Sequence, residues 1–240
     1  MFSKTYGYIL NHPATRRGYW GIWYYKSRYE EVLKPLSKFC KNKKLIILDL
    51  GCGSGIYAQH IRKLECQCDY VGCDIDAKVL RYAHRGPNIG YVLCDIQRLP
   101  FRQRSVQVVL CSEVLEHLGY PYRTLYKICE TTSGILIITF PKEHILSVFR
   151  DRHPEHISEI DEEKVINSIL SRKFKLIQKS EIFRSYIPCG ILEFLNIPRN
   201  QFTEKVVGLA DQLLKEIVPS ALVPHKTILI EAELIRSLPQ

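Results

Sequence analysis

Residues 48–55 read LDLGCGSG, and the fold follows from how this stretch joins what flanks it. An apolar run at 45–50 (LIILDL) enters three alternating glycines, Gly51, Gly53 and Gly55, after which Ile56 and Tyr57 open a segment of helical periodicity. Glycines in such a strand-to-helix turn permit positive backbone angles, and they let backbone N–H groups and the start of the helix approach a ligand closely. Taken alone, the triplet also fits a plain tight turn. The dinucleotide fingerprint G-x-G-x-x-G requires a glycine where Ile56 stands, and no Gly-Lys-Ser/Thr follows to make a phosphate loop, so both of those readings are excluded.

Downstream, short apolar runs recur at 70–74 (YVGCD), 91–95 (YVLCD), 106–112 (VQVVLCS) and 135–140 (ILIITF), with helix-compatible segments at 57–64, 77–84 and 122–129 between them. Near-continuous apolar strands alternating with helices are what a parallel sheet covered on both faces requires. Residues 161–172 (DEEKVINSILSR) predict a helix capped by Asp161, with acids in its first turn where they suit the helix dipole. Two further strands are predicted at 173–183 and 226–235. The expected fold is therefore an α/β, Rossmann-like, doubly wound and mostly parallel seven-stranded sheet. We divide the single domain into a helical lead-in (1–43), a core (44–183), a helical cap insertion (184–224) before the last strand, and that strand (225–236). In the lead-in, the apolar spacing from Trp20 to Cys40 predicts a helix that Pro35 bends or ends.

Two more acids complete a pattern. Asp74 closes the second predicted strand and Asp95 the third, so carboxylates gather with Asp49 at the carboxyl edge of the sheet. An acid there can accept hydrogen bonds from a ribose diol. A single aspartate at such a place is commonly a turn former; three at successive strand ends point to a nucleoside slot.

In this order and spacing, LDLGCGSG, VGCDID, CDIQRLPF and CSEVLEHL resemble the consecutive motifs of class I S-adenosylmethionine-dependent methyltransferases of the type-11 branch, over residues 43–172. The resemblance implies that Gly51, Gly53 and Gly55 hold the methionine portion of the cofactor and that Asp49 helps bind its ammonium. It also implies that Asp74 with Ile75 takes the ribose hydroxyls, that Asp95 with Ile96 borders the adenine, and that Ser112 lies beside the cofactor. Two departures concern subfamily: Gln107 stands where an acid is common at the start of the fourth strand, and SGILIITF replaces the usual Pro-Gly-Gly turn before the fifth. Methyl transfer is an in-line displacement driven largely by positioning, so a base is needed only when the acceptor must lose a proton.

Glu113, Glu116 and His117 stand at i, i+3, i+4 spacing, which on a helix would put them on one face. Helix capping, a catalytic His117, and a metal site are three readings of this segment. E-x-x-E-H is similar to the metal-binding segment of ubiquinone-pathway and small-RNA methyltransferases, and His153 or His156 can extend it. We expect His117 as the catalytic candidate and no metal.

Composition limits the partners. The net charge of +9 favours an anionic one, and Tyr19, Trp20, Trp23, Tyr24, Tyr25 and Arg28 can pack on the sheet, stack on a base, close over the cofactor or wall an acceptor pocket. The apolar IPCGILEFLNIP in the insertion suits a lid, a structural cap or a peripheral membrane contact. The nine cysteines sit mostly in apolar runs, as free thiols do, and Cys66-x-Cys68 has no second pair to make a zinc site. No signal peptide or spanning segment is read, which suggests a cytoplasmic protein. The expected acceptor is a small molecule, lipid-like, aromatic or a glycan precursor; RNA is the alternative, and a non-catalytic cofactor-binding protein is the third reading. No DNA partner is expected, and oligomeric state is not encoded legibly.

Overall fold

The computed structural model describes residues 19–40, 44–62, 64, 67–142, 156–183 and 226–235, with isolated helical positions between 202 and 213. Apart from those positions, the cap insertion lies outside the described residues, as do His153, Cys66 and the side chains of residues 19–27.

Among the described residues, seven strands form one sheet: β1 (Lys44–Leu50), β2 (Gln67–Asp74), β3 (Ile89–Leu93), β4 (Val106–Ser112), β5 (Thr132–Lys142), β6 (Phe174–Phe183) and β7 (Lys226–Leu234). Their spatial order is β3-β2-β1-β4-β5-β7-β6, with β7 antiparallel to both neighbours and the remaining pairs parallel. The chain therefore runs outward from β1 to β3, then returns to lay β4 on the other side of β1. That reversal opens a crevice at the carboxyl ends of β1 and β4, where ligands bind in sheets of this kind.

Helices cover both faces. On one, α1 (Tyr19–Cys40) and α2 (Ile56–Ile61) bury Val32, Leu36, Tyr57, Ala58 and Ile61 against Ile47, Leu110 and Ile137 of the strands. On the other, α4 (Pro121–Thr131) and α5 (Glu162–Leu170) bury Leu125, Ile128, Val165 and Ile169 against Leu48, Val109 and Ile138. Both sets of alternating strand positions are thus covered, which explains the unbroken apolar runs. The short α3 (Ala77–Arg81) follows β2 and is capped by Asp76, whose side chain accepts from Lys78 N–H.

Two strand boundaries are corrected, and one of the two outcomes expected at Pro35 is removed. Pro35 lies within α1 and does not end it. An interior proline costs about 3 kcal/mol, but Val32, Leu36 and Cys40, on both sides of it, are at most 1 % exposed, and each buried side chain of this size returns about 1.5–3 kcal/mol. The third strand stops at Leu93, so Asp95 stands two residues beyond it. Its side chain accepts from Gln97 N–H at 2.9 Å and caps a single 3-10 turn, Ile96–Arg98, a local bond that competes with the strand ladder. The fifth strand begins at Thr132, directly after α4. Gly134 makes this junction compact, because a Cβ there would lie 2.3 Å from the Gln107 carbonyl oxygen. Gln107 itself accepts from Ile46 N–H at 2.9 Å, a bond between β4 and β1 that an acid could make equally well. The Asp161 cap is as expected, its carboxylate accepting from Lys164 N–H.

Candidate functional site

The glycine loop sits at the carboxyl end of β1, and its own backbone donors are mostly committed inside the protein. Cys52 N–H donates to Cys73 O, Gly55 N–H to Cys52 O, and Gly53 N–H to Asp74 Oδ2 at 2.9 Å. The loop is therefore a rigid rim whose value to a ligand is shape. Gly51, at φ +66°, backs onto Val114, whose Cγ2 would lie 2.6 Å from an added Cβ. Gly55, at φ +70°, faces Tyr91, whose hydroxyl would lie 2.1 Å from one. Over Gly53, by contrast, an added Cβ would meet only Val79 Cγ1, at 4.0 Å. The cradle thus has an open side above Gly53.

Asp49 lies beneath this rim, buried, with one carboxylate oxygen accepting from the Tyr70 hydroxyl and the other, Oδ1, without a hydrogen-bond partner. Burial pushes its pKa up to about 7; the Tyr70 bond opposes this and the nearby Asp74 adds to it. A buried carboxylate with an orphaned oxygen fits a cationic group in the crevice, such as the ammonium of an amino-acid moiety. Asp74 ends β2 with Oδ2 on Gly53 N–H and Oδ1 on Asp76 N–H, both at 2.9 Å. Each oxygen keeps a second lone pair for a ligand hydroxyl. Ile75 beside it is 73 % exposed, an apolar side chain left open at the crevice edge, whereas Ile96 is buried. Asp95 is occupied as a turn cap, the role any single aspartate commonly plays.

Ser112 closes β4 within a polar chain that the sequence did not announce: the Tyr57 hydroxyl donates to Ser112 Oγ, which shares a hydrogen with Thr139 Oγ1, both at 2.9 Å. Thr139 in turn donates to Glu113 Oε1, and Glu113 pairs with Arg28 of α1 at 3.3 Å. Tyr57, Thr139 and Arg28 come from three separate elements, and no local spacing announces their meeting. Tyr70 and Tyr91 are of the same kind, read from sequence only as strand positions.

The expected helical face of Glu113, Glu116 and His117 does not form. Glu113 takes a left-handed conformation, φ 55°, with its N–H on Thr139 O, and only Leu115–His117 make a single 3-10 turn. Glu113 consequently joins Arg28. Glu116 is 2 % exposed, and neither of its carboxylate oxygens has a hydrogen-bond partner; burial, then the Glu113 charge, pushes its pKa up to about 9. The Glu116 carbonyl accepts from Ile157 and Ser158 N–H, both at 3.0 Å, which brings His156 against His117 with ring centroids 5.0 Å apart. A second concavity, an open polar cleft of about 500 Å³, lies at the opposite edge of the sheet among Lys44, Gln67, Asp69 and Asn88, with Tyr70 also in its lining.

Residues 48–134 match the family model described as a methyltransferase domain. Over that segment the chain is similar to methyltransferase domains. The class I methyltransferase resemblance and the Rossmann-like fold expected of it are both borne out. The domain is 35% identical over 106 residues to a ubiquinone biosynthesis O-methyltransferase of Albidiferax ferrireducens, covering 41% of each chain. It is 26% identical to a protein of Mycobacterium tuberculosis named as a probable S-adenosylmethionine-dependent methyltransferase, over 63% of this chain and 56% of that one. The matches span between 30% and 56% of the length of the first curated relatives. Among solved structures, the magnesium protoporphyrin IX methyltransferase of Synechocystis, with bound SAH, superposes with a TM-score of 0.61 at 13% identity, over 88% of this chain and 84% of that one. That likeness is one of fold.

Proposed function

We propose that the protein is an S-adenosylmethionine-dependent methyltransferase that delivers a methyl group to an oxygen, nitrogen or carbon of a small-molecule acceptor. The observation that carries this reading is that the matched segment, 48–134, contains the glycine rim, Asp49, Asp74, Ile75, Asp95, Ile96 and Ser112 together. The relative named for O-methylation in ubiquinone biosynthesis supports a small acceptor.

When bound, S-adenosylmethionine would supply an electrophilic methyl group for in-line transfer to the acceptor, its sulfur leaving with the bonding pair as a neutral thioether. The chain's residues then bind and orient. Asp49 Oδ1 would receive the ammonium, the open side over Gly53 would admit the methionine portion, and Asp74 would accept from the ribose hydroxyls. Ile75 would offer the base its exposed apolar side chain, and Asp95 holds the turn on which the buried Ile96 backs that wall. Ser112, fixed by Tyr57 and Thr139, marks where the acceptor side of the crevice begins. Glu113 ties that side to α1 through Arg28.

Asp49 gives the binding step a pH dependence. In the empty fold its raised pKa favours the neutral acid, so folding stability from this group falls as pH rises from about 4 through 7. A cationic ligand reverses the preference by binding the ionised form. With a pKa near 7, ionisation rises about tenfold from pH 6 to pH 8. Cofactor affinity measured by calorimetry should therefore be about tenfold weaker at pH 6 than at pH 8, and Asp49→Asn should flatten the profile while weakening binding. A flat wild-type profile would remove Asp49 from the site.

Incubation of the chain with methyl-labelled S-adenosylmethionine and fractionated cell extract tests the activity itself. Label is expected in the lipid and small-molecule fractions. The charge of +9 favours RNA as a second reading, and label confined to RNA would replace the first. Cofactor retained with no label transferred to any fraction would leave a binding protein and overturn the enzyme.

A further inference from the structure

The polar chain at the end of β4 has a direction. Thr139 Oγ1 donates to Glu113 Oε1 at 3.1 Å, which commits the one hydrogen that its hydroxyl carries. Ser112 is therefore the donor across its 2.9 Å contact with Thr139, and the Tyr57 hydroxyl donates to Ser112 at 2.9 Å. Every O–H from Tyr57 to Glu113 thus points the same way, toward a carboxylate. Ser112 Oγ has two lone pairs, and Tyr57 occupies one. The other is left for a donor from the crevice, where Ser112 stands half-buried with the fully buried Thr139 behind it.

The carboxylate that ends this chain is held there at a cost. Glu113 takes φ 55°, a conformation that residues with a side chain rarely adopt and that persists where the surrounding structure enforces it. Its own N–H donates to Thr139 O at 2.9 Å while Thr139 donates to its side chain, so the two residues bind each other twice. Arg28, at 3.3 Å, compensates the charge. A tether between β4 and β5 needs only the backbone bond; the aligned hydroxyls are what a proton path needs.

We propose that Ser112, Thr139 and Glu113 form a relay that takes up the proton of a hydroxyl acceptor, so that the enzyme methylates oxygen. This rests on the methyltransferase reading and narrows it. As the acceptor oxygen forms its bond to the methyl carbon, the C–S bond breaks and its electron pair stays on sulfur. The acceptor's proton passes to Ser112 Oγ, the Ser112 proton to Thr139 Oγ1, and the Thr139 proton to Glu113 Oε1. Sulfonium and carboxylate charges vanish in the same step. An oxygen that kept its proton would become an oxonium, a far stronger acid than a carboxylic acid, so the transfer runs downhill. A nitrogen acceptor, by contrast, keeps its charge as an ammonium too weakly acidic to give a proton to a carboxylate. The relay ends on Glu113 and not on His117, the candidate read from sequence.

The full chain is incubated with methyl-labelled S-adenosylmethionine and cell extract, and the labelled products, freed of cofactor, are treated with alkali and then with hot hydriodic acid. Label is expected to survive alkali and to leave as methyl iodide, as from an ether. Thr139→Val keeps the branched shape and removes the hydroxyl; it should cut the initial rate on the order of 100-fold, with the melting curve cooperative and cofactor affinity by calorimetry unchanged. Thr139→Ser should restore most of the rate. In the cofactor-free chain, proton NMR should show the Tyr57 and Thr139 hydroxyl protons protected from solvent exchange, the latter assigned by its loss in Thr139→Val. Label released by alkali, or resistant to hydriodic acid, would put the methyl on a carboxylate, a nitrogen or a carbon and overturn the relay while the methyltransferase reading stands. Equal rates for wild type and Thr139→Val, no rescue by Thr139→Ser, or hydroxyl protons in free exchange would each overturn it as well. No transfer to any product would overturn the reading and the relay together.

Discussion

Gly55→Ala is expected to lower the melting temperature by about 5–15 °C and to cut affinity for S-adenosylmethionine on the order of 100-fold. Two costs add. Alanine at φ +70° carries about 1–2 kcal/mol of strain, and its Cβ would fall 2.1 Å from the Tyr91 hydroxyl and 3.0 Å from Cζ. Tyr91 cannot retreat cheaply. Its hydroxyl donates to the His84 carbonyl at 2.7 Å, Arg85 lies 5.0 Å from its ring centre, and its ring edge fills the space beside Gly72. A combined cost of roughly 2–4 kcal/mol gives the stated shift in a chain of this size. Adding Tyr91→Phe removes the hydroxyl, and the double variant should recover part of the lost melting temperature. If Gly55→Ala melts and binds like the wild type, the rim is not the rigid element described above.

Asp74→Ala should abolish measurable cofactor binding while the chain stays folded. Its carboxylate serves twice: Oδ2 braces Gly53 N–H and Oδ1 turns the chain into α3 through Asp76 N–H. The proposed ribose hydroxyls would add hydrogen bonds to a charged acceptor, each worth about 1.5–3 kcal/mol. Losing two corresponds to at least a hundredfold in affinity, before any slackening of the rim. Circular dichroism and the melting curve separate the two roles, since removal of the brace alone leaves the sheet paired. Undiminished affinity in a folded Asp74→Ala variant would remove this residue from the ribose site.

The sheet and the rim were legible because their causes are local. Apolar runs long enough to be covered on both faces gave the strands, and alternating glycines gave the turn. Asp74 was legible for the same reason, as the last residue of a strand. Asp95 was half legible: its side chain was free to bond Gln97 N–H, and that ended the strand two residues early. Helical spacing misled at Glu113 because its left-handed φ of 55° breaks the helix that the spacing presumes. Tyr57, Tyr70 and Thr139 were invisible as site residues, and Arg28 was read as part of the aromatic-basic lead without its Glu113 partner, since these groups meet Ser112, Asp49 and Glu113 only after sheet and helices have packed. The persistence of α1 through Pro35 is likewise a tertiary effect, the sum of buried side chains exceeding a local penalty.

The central claim is that S-adenosylmethionine occupies the crevice at the carboxyl ends of β1 and β4, over Gly53 and between Asp49 and Asp74. Calorimetric titration of the purified chain with S-adenosylmethionine at pH 8 tests it most directly, with the Asp74→Ala chain titrated in parallel. The account predicts saturable binding at one site per wild-type chain and none for the variant. Absence of saturable binding to the folded wild-type chain, or equal binding by both, would contradict it.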